Sequence, residues 1–238
     1  MTKKTIFIAL DGNNDNDYFV STAKQIAAIK NDKINIGFKI GLELFCKYGF
    51  NFVNKIEELE KDVFLDLKFF DISNTVCGAL SSLYENSKGF VKYTTLHLLN
   101  GLECLKTVKN FNLSMDGNIK LLGVSILTSL DDNYLREQKI NYNNTNQAVL
   151  ELVKQSQNFV DGCICSPLEA EAIRNITDDS FTIVTPGVQM QSLNNDQKRT
   201  ATPNVAFKNG ANAIVVGRSI MQAADKTKAL MQIIESIE

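Results

Sequence analysis

The sequence predicts an α/β protein folded as a single (β/α)8 barrel, the TIM barrel architecture, on three observations. Short apolar runs recur eight times in 238 residues, at 5–10, 34–40, 62–67, 90–96, 119–127, 159–165, 181–184 and 213–216. Segments of helical periodicity lie between most of them, at 20–29, 51–59, 75–84, 101–108, 146–157, 167–174 and 203–209, and 224–237 closes the chain. Polar or charged residues stand where the runs stop, and in such a barrel those strand ends converge on one face. A doubly wound open sheet is the competing topology. Against it, the first run leads into Asp11-Gly12-Asn13-Asn14-Asp15, which lacks the GxGxxG dinucleotide fingerprint. With 44% hydrophobic residues and no linker, residues 1–238 are expected to bury one core as one domain.

Charge and cysteine content exclude several function classes. Lys and Arg number 25 against 27 Asp and Glu, a formal net charge of -2, so no basic field invites nucleic acid or an anionic membrane. An anionic ligand must therefore be met by local groups. Cysteines 46, 77, 104, 163 and 165 are odd in number and form no paired CxxC metal site, so reduced thiols are expected, with Cys163 and Cys165 alternating in the sixth run as packing residues. The chain enters a short strand directly, without the apolar core and cleavage site of a signal peptide, and no span reaches transmembrane length. A soluble, cytoplasmic protein is the expectation.

Taken in order, the runs supply the candidate site residues. The first ends at Asp11, which before Gly12 could simply make a turn. The second contains Lys39, within Ile36-Gly37-Phe38-Lys39-Ile40-Gly41, a cation in a run that ought to be buried. The third closes on Asp66-Leu67-Lys68-Phe69-Phe70-Asp71-Ile72-Ser73-Asn74-Thr75. Strand alternation puts Asp66 and Lys68 on one face at the strand's carboxyl end, with Asp71 in the following loop. A lysine between carboxylates stays an ammonium, because each opposite charge at ~4 Å contributes ~4 kcal/mol at an effective dielectric near 20. Such a group is a proton donor awaiting a strong base, although a surface ion pair of little energetic value uses the same residue types.

The fourth run ends at His97, the only histidine, which reads as a hydrogen-bonded structural residue more readily than as an acid or base. Ser125 and Thr128 follow the fifth, either as ligand contacts or as partners of backbone groups. The Asn-, Gln- and Asp-rich stretches 128–144 and 185–202 come after the fifth and seventh runs, and in a barrel both lie at the catalytic face. Thr185-Pro186-Gly187 follows the seventh run and Val215-Val216-Gly217-Arg218-Ser219 the eighth. Loops after strands seven and eight, with N–H groups freed by glycine, form the usual phosphate site of this architecture. Arg218 adds a fork of donors suited to a dianion. Residues 195–199, Asn-Asp-Gln-Lys-Arg, lie on a loop long enough to fold over a ligand or to serve as a solvated connection.

Together these residues resemble the orotidine 5′-monophosphate decarboxylase family in its shorter, bacterial-type form, from Leu10 to Ser219. The distinguishing motif is Asp66-x-Lys68-x-x-Asp71-Ile72-x-Asn74-Thr75. It is accompanied by Ala-Leu-Asp11, Phe-Lys39-Ile-Gly, Leu-Thr128-Ser, Thr-Pro186-Gly187, Asp196-Gln197-Lys-Arg-x-x-Thr-Pro and Val-Gly217-Arg218. The resemblance implies that Lys68 protonates C6 of the pyrimidine as carbon dioxide departs, with Asp66 beside the leaving carboxylate. It implies that Asp71 and Thr75 reach into a partner subunit's site, so that the working unit is a homodimer. Lys39 and Asp11 would hold the ribose hydroxyls and complete an alternating network, and Ser125 and Thr128 would face the pyrimidine. Gln197, Gly217 and Arg218 would grip the phosphate, with Pro186 and Gln189 also binding substrate. Orotidine and uridine 5′-monophosphates are then the ligands, and no metal or organic cofactor is implied.

Two positions depart from the family pattern. Ser73 replaces the usual proline, which loosens the turn after Asp71 without removing a functional group. Gln189 stands where bacterial members often carry a phosphate-binding arginine, which implies weaker ground-state nucleotide binding than in arginine-bearing relatives. A magnesium-dependent sugar-phosphate decarboxylase or aldolase of the same superfamily, and a non-catalytic nucleotide-binding barrel, are the alternatives.

Overall fold

A computed structural model describes residues 3–190 and 200–237. Eight parallel strands close into a barrel in chain order: β1 (Lys4–Leu10), β2 (Ile34–Gly41), β3 (Val63–Phe69), β4 (Val91–His97), β5 (Lys120–Val124), β6 (Gly162–Ile164), β7 (Thr182–Thr185) and β8 (Ala213–Val216). The helices among the described residues are α1 (Asn16–Ala27), α2 (Leu42–Glu57), α3 (Ser73–Asn86), α4 (Leu102–Ser114), α5 (Asp132–Glu137), α6 (Thr145–Ser156), α7 (Ala170–Arg174), α8 (Pro203–Lys208), α9 (Arg218–Met221) and α10 (Lys226–Glu235). Every apolar run becomes a strand, and the barrel, not the open sheet, is the topology. None of the helices among the described residues is long and apolar enough to cross a membrane.

The departures from sequence periodicity are local. The fifth and sixth strands are shorter than their runs, because β5 pairs with β4 only over Lys120–Val124 and β6 pairs with β5 only over Gly162–Ile164. Helix α2 begins nine residues before the periodic segment does, since Gly49 (φ 58°, ψ -154°) joins two helical pieces across a kink and interrupts the 3.6-residue pattern. Helices α5 and α9, of six and four residues, are too short to carry a period. The first of them lies in the stretch 128–144 that reads as irregular, and it starts where the Asp131 side chain accepts a hydrogen bond from the Asn133 N–H.

The core has two compartments. Along β1, Ile6, Ile8 and Leu10 join the large apolar layer between strands and helices, while Phe7 and Ala9 point into the barrel. Inside, Phe7 packs edge-on against Phe64 (5.5 Å between ring centroids) and Tyr93 (5.2 Å), with Leu122, Val184, Ala213 and Val215 around them. Each fully buried phenylalanine contributes roughly 1.5–3 kcal/mol of transfer free energy. This aromatic plug fills the barrel's interior, and Ala9, one turn of the pleat higher, leaves space above it. Cys163 and Cys165 are fully buried in the outer layer, where the sequence places them as packing residues.

Glu57, at the end of α2, is fully buried. Its carboxylate accepts hydrogen bonds from Ser87 Oγ (2.6 Å) and from the backbone N–H groups of Lys88 (2.9 Å), Phe90 (2.8 Å) and Val91 (3.1 Å). One acidic side chain thereby fixes the turn that feeds β4. Replacing it leaves the buried Val91 N–H and the part-buried donors of Ser87, Lys88 and Phe90 without this acceptor, so Glu57→Ala is expected to lower unfolding free energy by about 1–3 kcal/mol in a urea titration. A loss below about 1 kcal/mol would show that water satisfies the turn equally well.

Candidate active site

The site begins with an irregularity between β3 and β4. Leu65 pairs with Thr94 and Phe69 with Leu96, so residues 66–68 stand opposite Thr95 alone. Lys68 absorbs the extra length by adopting φ 50°, a left-handed backbone that is strained for a side chain of this size. Asp66 and Lys68 do share a face, as the sequence predicts, but a bulge and not plain alternation puts them there. The Lys68 N–H donates to Thr95 Oγ1 (2.8 Å), the Thr95 hydroxyl donates to Asp66 Oδ1 (3.0 Å), and Lys68 Nζ donates to Asp66 Oδ2 (2.8 Å).

Strand β2 brings a second cation to the same carboxylate. Lys39 Nζ is 3.8 Å from Asp66 Oδ2 and 3.4 Å from Asp11 Oδ2, so Asp11, Lys39, Asp66 and Lys68 form a row of alternating sign across the carboxyl ends of three strands. Gly41 keeps the row open, because a Cβ there would stand 3.1 Å from Lys39 Nζ and 3.2 Å from Asp11 Oδ1. Burial pushes the Asp66 carboxyl up, but the ammonium groups of Lys39 and Lys68 and the hydrogen bonds from Lys68 and Thr95 outweigh it and hold the group below the usual carboxylate range.

Above the plug lies a cavity of about 650 Å³. Asp11, Lys39, Asp66, Lys68, Thr128, Pro186, Gln189, Gly217 and Arg218 all line it. Phe64 belongs to both plug and cavity, and Val124, Ile126, Ile164 and Val215 supply apolar wall. Gly187 turns the chain after β7 at φ 75°, which suits glycine. Ser125 is buried beside the lining residues Val124 and Ile126 without lining the cavity itself, and its Oγ has no hydrogen-bond partner among the described residues. Gln197 lies outside the described residues.

Asp71 and Thr75 are exposed and stand apart from this cavity. Asp71 Oδ1 accepts from the Ile72 N–H (2.7 Å), while its own N–H donates to Asn100 Oδ1 (3.2 Å), and Asn100 Nδ2 donates to the Phe69 carbonyl (3.0 Å). Phe70 and Ile72 beside it are 63% and 71% exposed. His97 does not match the hydrogen-bonded role expected of it. Its Nδ1 has no partner among the described residues, the ring lies 5.3 Å from that of Phe70, and burial together with the Lys68 charge lowers its pKa. Thr95, bonded to both Asp66 and Lys68, is a residue of this network that sequence reading misses, since a threonine in a strand is ordinary. Among the described residues no group of three or more His, Cys, Asp or Glu side chains is placed to hold a metal ion.

Fold and site define an α/β barrel enzyme with a charge-paired pocket at the carboxyl ends of its strands. Residues 4–233 match the model of the Orotidine 5'-phosphate decarboxylase / HUMPS family, and the chain belongs to that family. It is similar to the orotidine 5'-phosphate decarboxylase of Oenococcus oeni, with 38% identity over 237 residues and 99% of each chain covered. The protein of the same name from Prochlorococcus marinus strain MIT 9515 is 37% identical over 206 residues, covering 84% of this chain and 85% of that one. The crystal structure of orotidine 5'-phosphate decarboxylase from Lactobacillus acidophilus superposes with a TM-score of 0.81 at 32% identity, covering 99% of this chain and all of that one.

The Asp66 environment gives a stability signature. Its carboxyl loses a proton more readily in the folded chain than in the unfolded one, where about 3.9 is ordinary, so between the two values the unfolded state holds more protons. The stabilisation is complete above the unfolded value and lost as pH falls through the lower folded one. In urea titrations of the wild type and Asp66→Asn from about pH 6 to about pH 2.5, the wild type's stability relative to the variant is expected to decline only below about pH 4.5. A difference constant across that range would contradict the assignment.

Proposed function

We propose that this chain decarboxylates orotidine 5′-monophosphate to uridine 5′-monophosphate, with Lys68 as the proton donor. The observation that carries the reading is the alternating row of Asp11, Lys39, Asp66 and Lys68 along one side of a cavity whose loops after β7 and β8 present Gly187, Gln189, Gly217 and Arg218. The bond from C6 to the carboxylate breaks with its electron pair left on C6, and that pair takes a proton from the Lys68 ammonium to form the C6–H bond. Lys68 is then a neutral amine until solvent returns a proton. A fixed ammonium beside C6 favours the carbanion more than the ground state, and Asp66 beside the departing carboxylate opposes the ground state by like charge.

The remaining roles are those the family resemblance implies, and of their residues Asp11, Lys39, Thr128, Pro186, Gln189, Gly217 and Arg218 line the cavity. Asp11 and Lys39 hold the ribose hydroxyls, Ser125 and Thr128 the pyrimidine, and Pro186, Gln189, Gln197, Gly217 and Arg218 the phosphate end. Binding of the remote phosphate helps assemble the charged row before chemistry. Asp71 and Thr75 serve the site of a second copy in a homodimer. Supporting this, both lie outside the chain's own cavity, and the surface depression that Asp71 lines carries the exposed apolar side chains Phe70, Ile72 and Leu99. The protein acts in the cytoplasm, in pyrimidine nucleotide synthesis.

Mixing purified protein with orotidine 5′-monophosphate in excess chelator is expected to abolish the substrate's absorbance band. Lys68→Ala is expected to lower kcat by at least roughly 10³-fold. Chelator-sensitive turnover would favour the magnesium-dependent reading, and tight uridine-nucleotide binding with an unchanged spectrum would favour a sensor. Asp71→Asn is expected to be impaired alone and to recover activity when its subunits exchange with Lys68→Ala, because one mixed site then holds both native side chains. No recovery after verified exchange would place Asp71 outside the partner's site.

A further inference from the structure

We infer that Thr95 is a positioning residue of the decarboxylation centre, and that its hydroxyl sets the separation between the Asp66 carboxylate and the Lys68 ammonium. The inference rests on the function proposed above but adds a residue to it. Thr95 is fully buried and does not line the cavity, so it acts through its neighbours and not on substrate.

One oxygen makes two bonds with different consequences. As donor, it fixes Asp66 Oδ1 at 3.0 Å, which leaves Oδ2 as the oxygen turned to Lys68 at 2.8 Å and to Lys39 at 3.8 Å. As acceptor, it takes the Lys68 N–H at 2.8 Å, where the bulge sets a side-chain oxygen of β4 opposite that amide. That bond holds Lys68 at φ 50°, a backbone that persists in a non-glycine residue only where its surroundings enforce it. The carboxylate rotamer and the root of the ammonium side chain therefore share a single anchor. Valine has the same shape and can make neither bond. Serine can make both.

The test compares Thr95→Val and Thr95→Ser with the wild type in turnover, uridine 5′-monophosphate affinity and crystal structure. Thr95→Ala is a second hydroxyl-free chain in which no methyl is forced against Asp66. Without the hydroxyl, kcat is expected to fall roughly 10- to 100-fold while product affinity changes less than about threefold, and serine is expected to restore kcat to within about fivefold. In the hydroxyl-free crystal structures, the contact from Lys68 Nζ to Asp66 is expected to lengthen beyond about 3.5 Å or Lys68 to leave its positive φ. Wild-type kcat in both hydroxyl-free chains, a serine variant as slow as they are, or a fall confined to affinity would overturn the inference. If the wild type itself releases no carbon dioxide, the function reading fails, and the geometry of the variants still decides whether Thr95 holds the pair.

Discussion

A carboxylate buried between two ammonium groups is the constraint from which the rest of the site follows. The Asp66 side chain is only 15% exposed, and a lone carboxylate so largely removed from water would either take up a proton or destabilise the barrel. Lys39 from β2 and Lys68 from its own strand make the charged form the favoured one. Each partner makes further demands. A side chain at Gly41 would crowd the Lys39 ammonium, Lys68 carries a positive φ, and its N–H is held by the Thr95 hydroxyl. The row is thus pre-assembled by covalent geometry and packing, which lets its electrostatics act without reorganisation when charge develops on a ligand.

How much of this was legible in the sequence depends on what fixed each feature. The strands were legible because strands covered on both sides read as continuous apolar runs, and 34–40 or 213–216 can hardly be anything else once eight such runs are counted. Lys39 was legible as a cation inside such a run. Convergence of strand ends in a closed barrel put these residues on one face, while their alternating order was legible only through the family resemblance. The bulge was not legible, since nothing in Asp-Leu-Lys-Phe distinguishes a lysine at positive φ from one in a regular strand. Thr95 was invisible for the related reason that its importance comes from what lies across the ladder. Plain alternation gave the right face for Asp66 and Lys68 because the bulge happens to preserve it. Short helices such as α5 and α9 leave no period to read, and Gly49 hid the first half of α2 by breaking one.

The contrast between the two carboxylates of the Asp-x-Lys-x-x-Asp motif is equally informative. Asp66 is tied to three side chains of its own chain, whereas Asp71 is exposed, its carboxylate accepting from the Ile72 N–H and its backbone meeting Asn100 and the Cys104 thiol. Three bonds along the loop, from the Asp71 N–H to Asn100, from Asn100 to the Phe69 carbonyl and from the Ile72 N–H to Asp71, give the segment a defined shape in the single chain. The loop is therefore pre-formed, so any role it has across a subunit boundary requires little ordering of its backbone on association.

Phe64 belongs at once to the plug that consolidates the barrel and to the surface that a ligand would meet. The same ring therefore determines both how firmly the strands are held and how deep the pocket is. Mutational drift at that position cannot be neutral for one property while it retunes the other. Any lineage that reshapes this pocket for a bulkier ring must make up the lost cohesion among residues such as Phe7 and Tyr93, below the reach of the chemistry.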